Sequence, residues 1–271
     1  MYGEYGAAGD VPSPDSVPQV DVVTAVHALY ARFIPSLWKS LRAQTHSHWR
    51  WWIEIDGEPG QVNEALRGCG AAADPRVRVS HHGPDVLGPA ITRNLAFHRG
   101  TAPFVQTADS DDELEPGALA LLTAALGANR DAGYALGQAR DLLTGGELRE
   151  LRLPLAPGVL DRGALPRYWI TGGTGGQGYR LPAHPAGAMY RRALVAGLGA
   201  WQAAEGMEDT ALLMSASASS PGVLIADPTL RYRRHPDQRS ARMRDFAGGG
   251  VQIRGIRSRV AALMNMPPWR E

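Results

Sequence analysis

Short apolar segments alternating with amphipathic ones, from Val22 to Leu126, constrain this chain more than any other feature. Val22–Val26, Trp51–Ile55, Val77–Ser80 and Phe104–Thr107 read as strands. Phe33–Ala43, Gln61–Gly68, Ala90–His98 and Gly117–Leu126 read as helices, and in the first of these Phe33, Leu37 and Leu41 recur at helical spacing. Consecutive parallel strands need a long crossover, which a helix supplies, so the alternation predicts an α/β fold: a mainly parallel sheet with helices on both faces. After Tyr134–Ala139 the pattern weakens, and Gly145 to Pro185 is rich in Gly and Pro. Regularity returns with Ala188–Tyr190, a helix from about Arg191, a helix through Thr210–Ser217, and two closing strands, Val223–Ala226 and Leu230–Arg233. A basic, partly amphipathic stretch, Val251–Met264, is expected to end the chain as a helical extension, and residues 1–19, rich in Gly, Pro and Ser, as a loose arm.

The chemistry of the chain is concentrated after the fourth strand. Phe104-Val-Gln-Thr-Ala-Asp109-Ser-Asp111-Asp112-Glu-Leu-Glu-Pro116 runs from an apolar strand into three carboxylates within four positions. Carboxylates packed this closely repel one another unless a cation or a sugar hydroxyl sits among them. Hard divalent ions such as Mg²⁺ and Mn²⁺ prefer such oxygen ligands, together with waters and substrate phosphates. The carboxyl end of a strand in an open α/β sheet is also where ligands collect. The competing reading is a solvated acidic turn that caps the next helix.

Composition removes several alternatives. A formal net charge of +1 over 271 residues argues against a global attraction to nucleic acid or acidic membranes. Cys69 is the only cysteine, which excludes an internal disulfide and a multi-cysteine zinc site. Lys39 is the only lysine, so nearly all the positive charge is arginine, the better bidentate phosphate ligand. No window is long and apolar enough for a transmembrane segment, and Met1-Tyr-Gly-Glu-Tyr-Gly lacks the character of a signal peptide, so a cytoplasmic protein is expected.

Several motifs then fall in a recognisable order. The first helix carries Ser40-Leu41-Arg42-Ala43-Gln44-Thr45, and the second strand ends in Ile55-Asp56-Gly57. Gly88-Pro-Ala-Ile-Thr-Arg93-Asn94 leads towards Asp109, Asp111, Asp112 and Pro116, and Glu208-Asp209 opens a helix roughly a hundred residues later. In this order, over about Asp21 to Ser240, the motifs resemble the family 2 glycosyltransferases of the GT-A fold. The resemblance implies a GT-A-type Rossmann-like sheet. It also implies one catalytic domain over residues 20–240, with a nucleotide-sugar-binding half (20–130), an acceptor-binding half (131–240) and a helical tail (241–271). It implies an inverting transfer of a sugar from a UDP-, dTDP- or GDP-sugar to a hydroxyl or amine of a small molecule or glycan, in natural-product or cell-surface glycan biosynthesis. By the same resemblance Asp56 contacts the nucleotide base, and Arg93 lies near the base or its phosphates. Asp109 and Asp111 form the Mn²⁺ or Mg²⁺ and ribose-diphosphate site, and Asp209 is the catalytic base. A homodimer is compatible with it.

The chain also departs from that pattern. Where the family's first loop often has an asparagine after Thr-Tyr or Ala-Tyr, this chain has His27-Ala28-Leu29-Tyr30, and His27 stands as the nucleotide contact there. Asp56 is followed by Gly57-Glu58-Pro59 rather than by a second acid. The Gln-x-x-Arg-Trp motif of processive polysaccharide synthases is absent. Each residue has a plainer reading too: Asp56 as a turn cap, Arg93 in a surface ion pair, Glu208-Asp209 as an ordinary helix start. His235, in Arg231-Tyr-Arg-Arg-His235-Pro-Asp-Gln238, is a further metal or diphosphate ligand or part of an exposed basic edge. His46, His48, His81 and His82 read as surface residues, and Gly172–Gly178 as an acceptor-side lid or a plain loop. Trp49, Trp51 and Trp52 are expected in or beside the sheet, while Trp169 and Trp201 either stack on a sugar or pack in the core. Two other functions compete with sugar transfer: a sugar-phosphate nucleotidyltransferase, whose Gly-rich loop and catalytic lysine are missing here, and a non-catalytic carbohydrate- or nucleotide-binding module.

Overall fold

The computed structural model describes residues 19–151, 154–171, 183–202, 206–238 and 250–270. The arm expected ahead of Gln19 and the Gly-rich lid candidate at 172–178 lie outside those residues. The strands are β1 (Val20–His27), β2 (Trp49–Asp56), β3 (Val77–His81), β4 (Phe104–Thr107), β5 (Glu113–Leu114), β6 (Tyr134–Leu142), β7 (Leu148–Glu150), β8 (Gly158–Leu160), β9 (Met189–Arg191) and β10 (Gly222–Arg233). The helices are α1 (Ile34–Arg42), α2 (Gly60–Gly68), α3 (Pro89–Arg99), α4 (Ala118–Ala128), α5 (Ala164–Thr171), α6 (Arg192–Gly197), α7 (Glu208–Ser219) and α8 (Val251–Met264).

All the strands join one sheet in the order β3-β2-β1-β4-β9-β6-β10-β5, with β7 beside β6 and β8 beside β10. The first four strands in that order are parallel. β9 then runs antiparallel between β4 and β6, and β6 pairs in parallel with β10. Alternation along β1 explains how both faces become covered. Val20, Val22 and Val26 point to one side, with Leu37 and Leu41 of α1, Val62 and Leu66 of α2, and Leu119, Leu122 and Leu126 of α4. Val23 points to the other, with Ala96 and Phe97 of α3, Leu212 and Leu213 of α7, and Ile253, Ile256 and Val260 of α8. Each such aliphatic side chain contributes roughly 1.5–3 kcal/mol when fully buried. This is the α/β architecture expected from the sequence, and α8 seals part of its second face.

Asp21 is the polar exception on β1. It is 1 % exposed and accepts from Trp52 Nε1 (2.7 Å), the Ala102 amide (2.8 Å) and Arg192 Nη2 (2.6 Å). A buried carboxylate is tolerated because it is paired and hydrogen-bonded, and here the pairing staples β1 to β2 and to the start of α6. The Gly100 backbone passes so close that a Cβ there would lie 2.3 Å from Asp21 Oδ2.

The structure differs from the sequence reading in the second half. The two closing strands are one strand, β10, whose register against β6 shifts around Pro228. Proline has no amide to donate to the ladder, which breaks the apolar pattern without ending the strand. The weakly patterned Gly145–Pro185 stretch contains β7, β8 and α5. Among the described residues no helix is long and apolar enough to cross a membrane.

Candidate active site

Because β1, β2 and β4 are parallel, their carboxyl ends open on one edge of the sheet. His27 and Asp56 are register partners there, and Asp109 follows β4 by two residues. Asp56 is 5 % exposed; its Oδ1 accepts from the Leu87 amide at 2.7 Å and its Oδ2 from the Gly88 amide at 3.1 Å. Gly88 has φ +85° and caps α3, so Asp56 fastens the loop that aims this helix. The turn-capping role is therefore present, and any contact with a base must use the remaining lone pairs of the carboxylate. His27 Nδ1 accepts from the Leu29 amide at 3.2 Å and starts a short 3₁₀ turn. His82 is not a surface residue: its side chain is 11 % exposed and faces Glu54 (3.4 Å) and Asp56 (3.6 Å).

Arg93 on α3 is the hub of the site. Its Nη1 lies 2.9 Å from Glu208 Oε1, and its Nη2 lies 2.5 Å from Asp109 Oδ1 and 3.2 Å from Asp209 Oδ2. The residue is 5 % exposed, which overturns the surface-ion-pair reading. Burial opposes its charge, yet Asp209, Asp109 and Glu208 hold the guanidinium's pKa well above its ordinary value. Asp209, in the first turn of α7, also accepts from Trp201 Nε1 at 2.8 Å. Burial pushes its carboxyl up to about 7; Asp109 and Glu208 act in the same direction, while Arg93 and Trp201 oppose them. A carboxyl poised near neutrality suits general-base work.

Trp201 had no distinguishing signal in the sequence. It is 1 % exposed and packs edge-on to Phe97 at 6.1 Å, so it is a core residue rather than a sugar-stacking surface. Trp169 is buried in the same core. Among the described residues, the two non-glycine positions with positive φ are Ala200 (57°) and Met207 (62°), directly before Trp201 and Glu208. Such backbone is sparsely populated and often marks functional sites.

The other carboxylates meet β10. His235 Nε2 lies 2.9 Å from Asp111 Oδ2, and its ring packs on Phe33 at 4.6 Å. Gln238 braces this turn, accepting from the His235 amide (3.3 Å) and donating to Arg233 O (2.5 Å). Asp111 is raised above the usual carboxylate range by burial and by Asp109, with His235 acting against them. Asp112 is 2 % exposed, and its Oδ1 accepts from the Arg233 amide at 2.9 Å. Its Oδ2 has no hydrogen-bond partner among the described residues. Burial, then Asp111 and Asp109, push Asp112 well above its ordinary value. Among the described residues no three His, Cys, Asp or Glu side chains are gathered as a metal-binding group. Asp109 turns to Arg93, while Asp111 and His235 face each other. A divalent cation nevertheless fits this chemistry. The carboxylates are crowded, one buried oxygen lacks a partner, and Mg²⁺-type sites take few protein ligands beside substrate phosphates.

Residues 22–197 match the family described as Glycosyl transferase family 2. No curated protein matches the chain. Among solved structures, S. aureus TarS 1–349 in complex with UDP is similar at a TM-score of 0.61 and 18 % identity, over 80 % of this chain and 61 % of that one. The same protein with UDP-GlcNAc gives a TM-score of 0.65 at 16 % identity, over 90 % and 66 %. The mannosyltransferase PcManGT from Pyrobaculum calidifontis, in complex with GDP-Man and Mn²⁺, gives 0.54 at 15 % identity, over 85 % and 61 %. The chain thus spans less than two thirds of each of these proteins, and at such identities the likeness speaks for the fold.

Proposed function

Since the chain belongs to glycosyltransferase family 2, we propose that it is an inverting glycosyltransferase that moves a sugar from a nucleotide-sugar donor to an acceptor hydroxyl or amine. The observation that carries this reading is the convergence of Asp109 and Asp209 on the buried guanidinium of Arg93. One carboxylate belongs to the donor edge of the sheet, the other to the acceptor half. Asp209 takes the acceptor proton as the acceptor attacks the anomeric carbon, and its pKa of about 7 supports that role. Attack on the face opposite the leaving diphosphate inverts the anomeric centre.

Asp109, Asp111 and His235 would hold Mn²⁺ or Mg²⁺. The ion, when bound, neutralises the diphosphate leaving group. His27 and Asp56, side by side at the ends of β1 and β2, flank the nucleotide base, and Arg93 reaches the donor site through Asp109. PcManGT, of similar fold, is known with GDP-Man and Mn²⁺, and TarS with UDP-GlcNAc, which supports a UDP- or GDP-sugar as donor, with a dTDP-sugar as the further candidate. The acceptor is a small molecule or a glycan, in natural-product or cell-surface glycan assembly.

The test is incubation with a panel of UDP-, dTDP- and GDP-sugars plus Mn²⁺, with and without candidate acceptors, reading nucleoside diphosphate release. The anomeric configuration of the product is then read by NMR. Diphosphate release with an inverted product is expected. Formation of nucleoside triphosphate and sugar 1-phosphate, only when pyrophosphate is added, would instead indicate a nucleotidyltransferase, and tight nucleotide binding without turnover a binding module.

A further inference from the structure

Asp209 is held from two sides. Trp201 Nε1 donates to its Oδ1 at 2.8 Å, and Arg93 Nη2 lies 3.2 Å from its Oδ2. Each carboxylate oxygen has two lone pairs, so one donor per oxygen fixes the plane of the group and leaves a lone pair on each for an incoming proton. Trp201 is itself clamped: its amide donates to Asn94 Oδ1 at 2.9 Å, and Asn94 Nδ2 donates to its carbonyl at 2.9 Å. Asn94 follows Arg93 on α3, so adjacent residues of one helix reach both sides of Asp209. Left-handed backbone directly precedes both the clamped Trp201, at Ala200, and the helix that carries Asp209, at Met207. Such backbone persists only where surrounding contacts over-determine the conformation.

We propose that Trp201 is a positioning residue that orients Asp209 for proton acceptance, and that Asn94 fixes Trp201 for this purpose. The inference rests on Asp209 being the base of the proposed transfer. Trp201 is too deeply buried to touch a substrate, so it acts only through Asp209. The charged or titratable groups facing Asp209 are Arg93 from α3, Asp109 after β4, Glu208 beside it on α7 and Tyr190 from β9.

Trp201→Phe keeps an aromatic ring and removes the N–H donor. With UDP-N-acetylglucosamine or GDP-mannose and Mn²⁺, kcat should fall about tenfold or more, the scale of a lost hydrogen bond to a charged group, with KM for the donor unchanged. In an Asp209→Asn background the same substitution should cost nothing further, because residues that act as a unit are non-additive. An additive loss would make Trp201 a packing residue only and overturn the proposal. Full turnover by Asp209→Asn alone would instead remove the base reading beneath it. A readout independent of turnover is the indole ¹⁵N–¹H resonance of Trp201, which should move on Asp209→Asn more than that of any other tryptophan. An unmoved resonance overturns the contact. If Trp201→Phe does not fold, Asn94→Ala replaces it: the indole stays, the clamp is lost, and a similar fall in kcat is expected. Wild-type kcat in folded Asn94→Ala would also overturn the proposal.

Discussion

Arg93 illustrates how a single side chain can tie stability to a proposed chemistry. Its partners Glu208 and Asp209 are themselves mostly buried, at 7 % and 15 % side-chain exposure, so removing the guanidinium takes away the positive charge that offsets them. Arg93→Met should cost about 3–5 kcal/mol in denaturant unfolding, the scale of a broken buried ion pair. The pair Arg32–Asp237 is 52 % and 45 % exposed, and Arg32→Ala should stay within about 1 kcal/mol. For catalysis, Asp209→Asn should keep the fold and nucleotide affinity yet slow turnover about a hundredfold or more. In the wild type the base must be deprotonated, so kcat should fall as pH drops below about 7, following the raised Asp209 carboxyl. An acid limb near the ordinary carboxylate value would sink that assignment. Asp111→Asn should weaken nucleoside diphosphate binding far more with Mn²⁺ than without it, as titration calorimetry would show. Motif order singled these residues out, because the proposed chemistry requires particular side chains. Their mutual contacts were not readable from it: nothing in the spacing of Arg93, Asp109 and Glu208-Asp209 says that they meet on one guanidinium, since that depends on how α3 and α7 pack.

At the scale of elements, β1, β2 and α3 were legible because each has a long apolar period and a clear stop. The register of His27 with Asp56 follows from parallel pairing of strands of equal length. What stayed hidden were elements whose form is set by tertiary partners. β5 is two residues long and exists because Leu114 and Glu113 pair with Leu230 and Arg231. α8 has the expected bounds, but its Ile253, Ile256 and Val260 belong to the second core, which the notion of a tail does not convey. Gly100, between α3 and β4, is a further case. It carries no motif, yet the approach of its backbone to Asp21 leaves no room for a methyl group. Gly100→Ala should therefore push the Asp21 carboxylate off Arg192 and the Ala102 amide. A loss of about 1–3 kcal/mol is expected in thermal or denaturant unfolding, typical of overpacking. An unchanged midpoint would mean that the turn yields freely, and the staple between β1 and α6 would then lose its structural importance.

The whole molecule crowds several carboxylates at one edge of a well-packed sheet, which makes its stability vary with pH. Motif order and periodicity pointed to that edge and to the parallel strands, while the Gly- and Pro-rich stretch from Gly145 to Pro185 offered no period from which to read the elements it contains. In the folded chain burial pushes the Asp209 carboxyl up to about 7, far above an unfolded aspartate. A group whose folded pKa is raised contributes stability that is fully present below the unfolded pKa and is lost as pH rises through the folded one. Asp209 therefore lowers the unfolding temperature of the metal-free protein as pH is raised from about 4 to about 7, between its unfolded and folded pKa values, while His184, held down to about 4 by burial, acts in the opposite sense over that interval. Asp209→Asn cannot ionise, so over the same interval its midpoint should gain steadily on that of the wild type. Mn²⁺ should raise the wild-type midpoint more at the alkaline end, where carboxylates are ionised and free to bind it, because a ligand that binds only the folded state stabilises it by mass action. Calorimetric scans at several pH values, with and without Mn²⁺, provide the measurement. Parallel curves for wild type and Asp209→Asn would show that Asp209 ionises as an ordinary aspartate, and the case for a base poised near neutrality would fall with it.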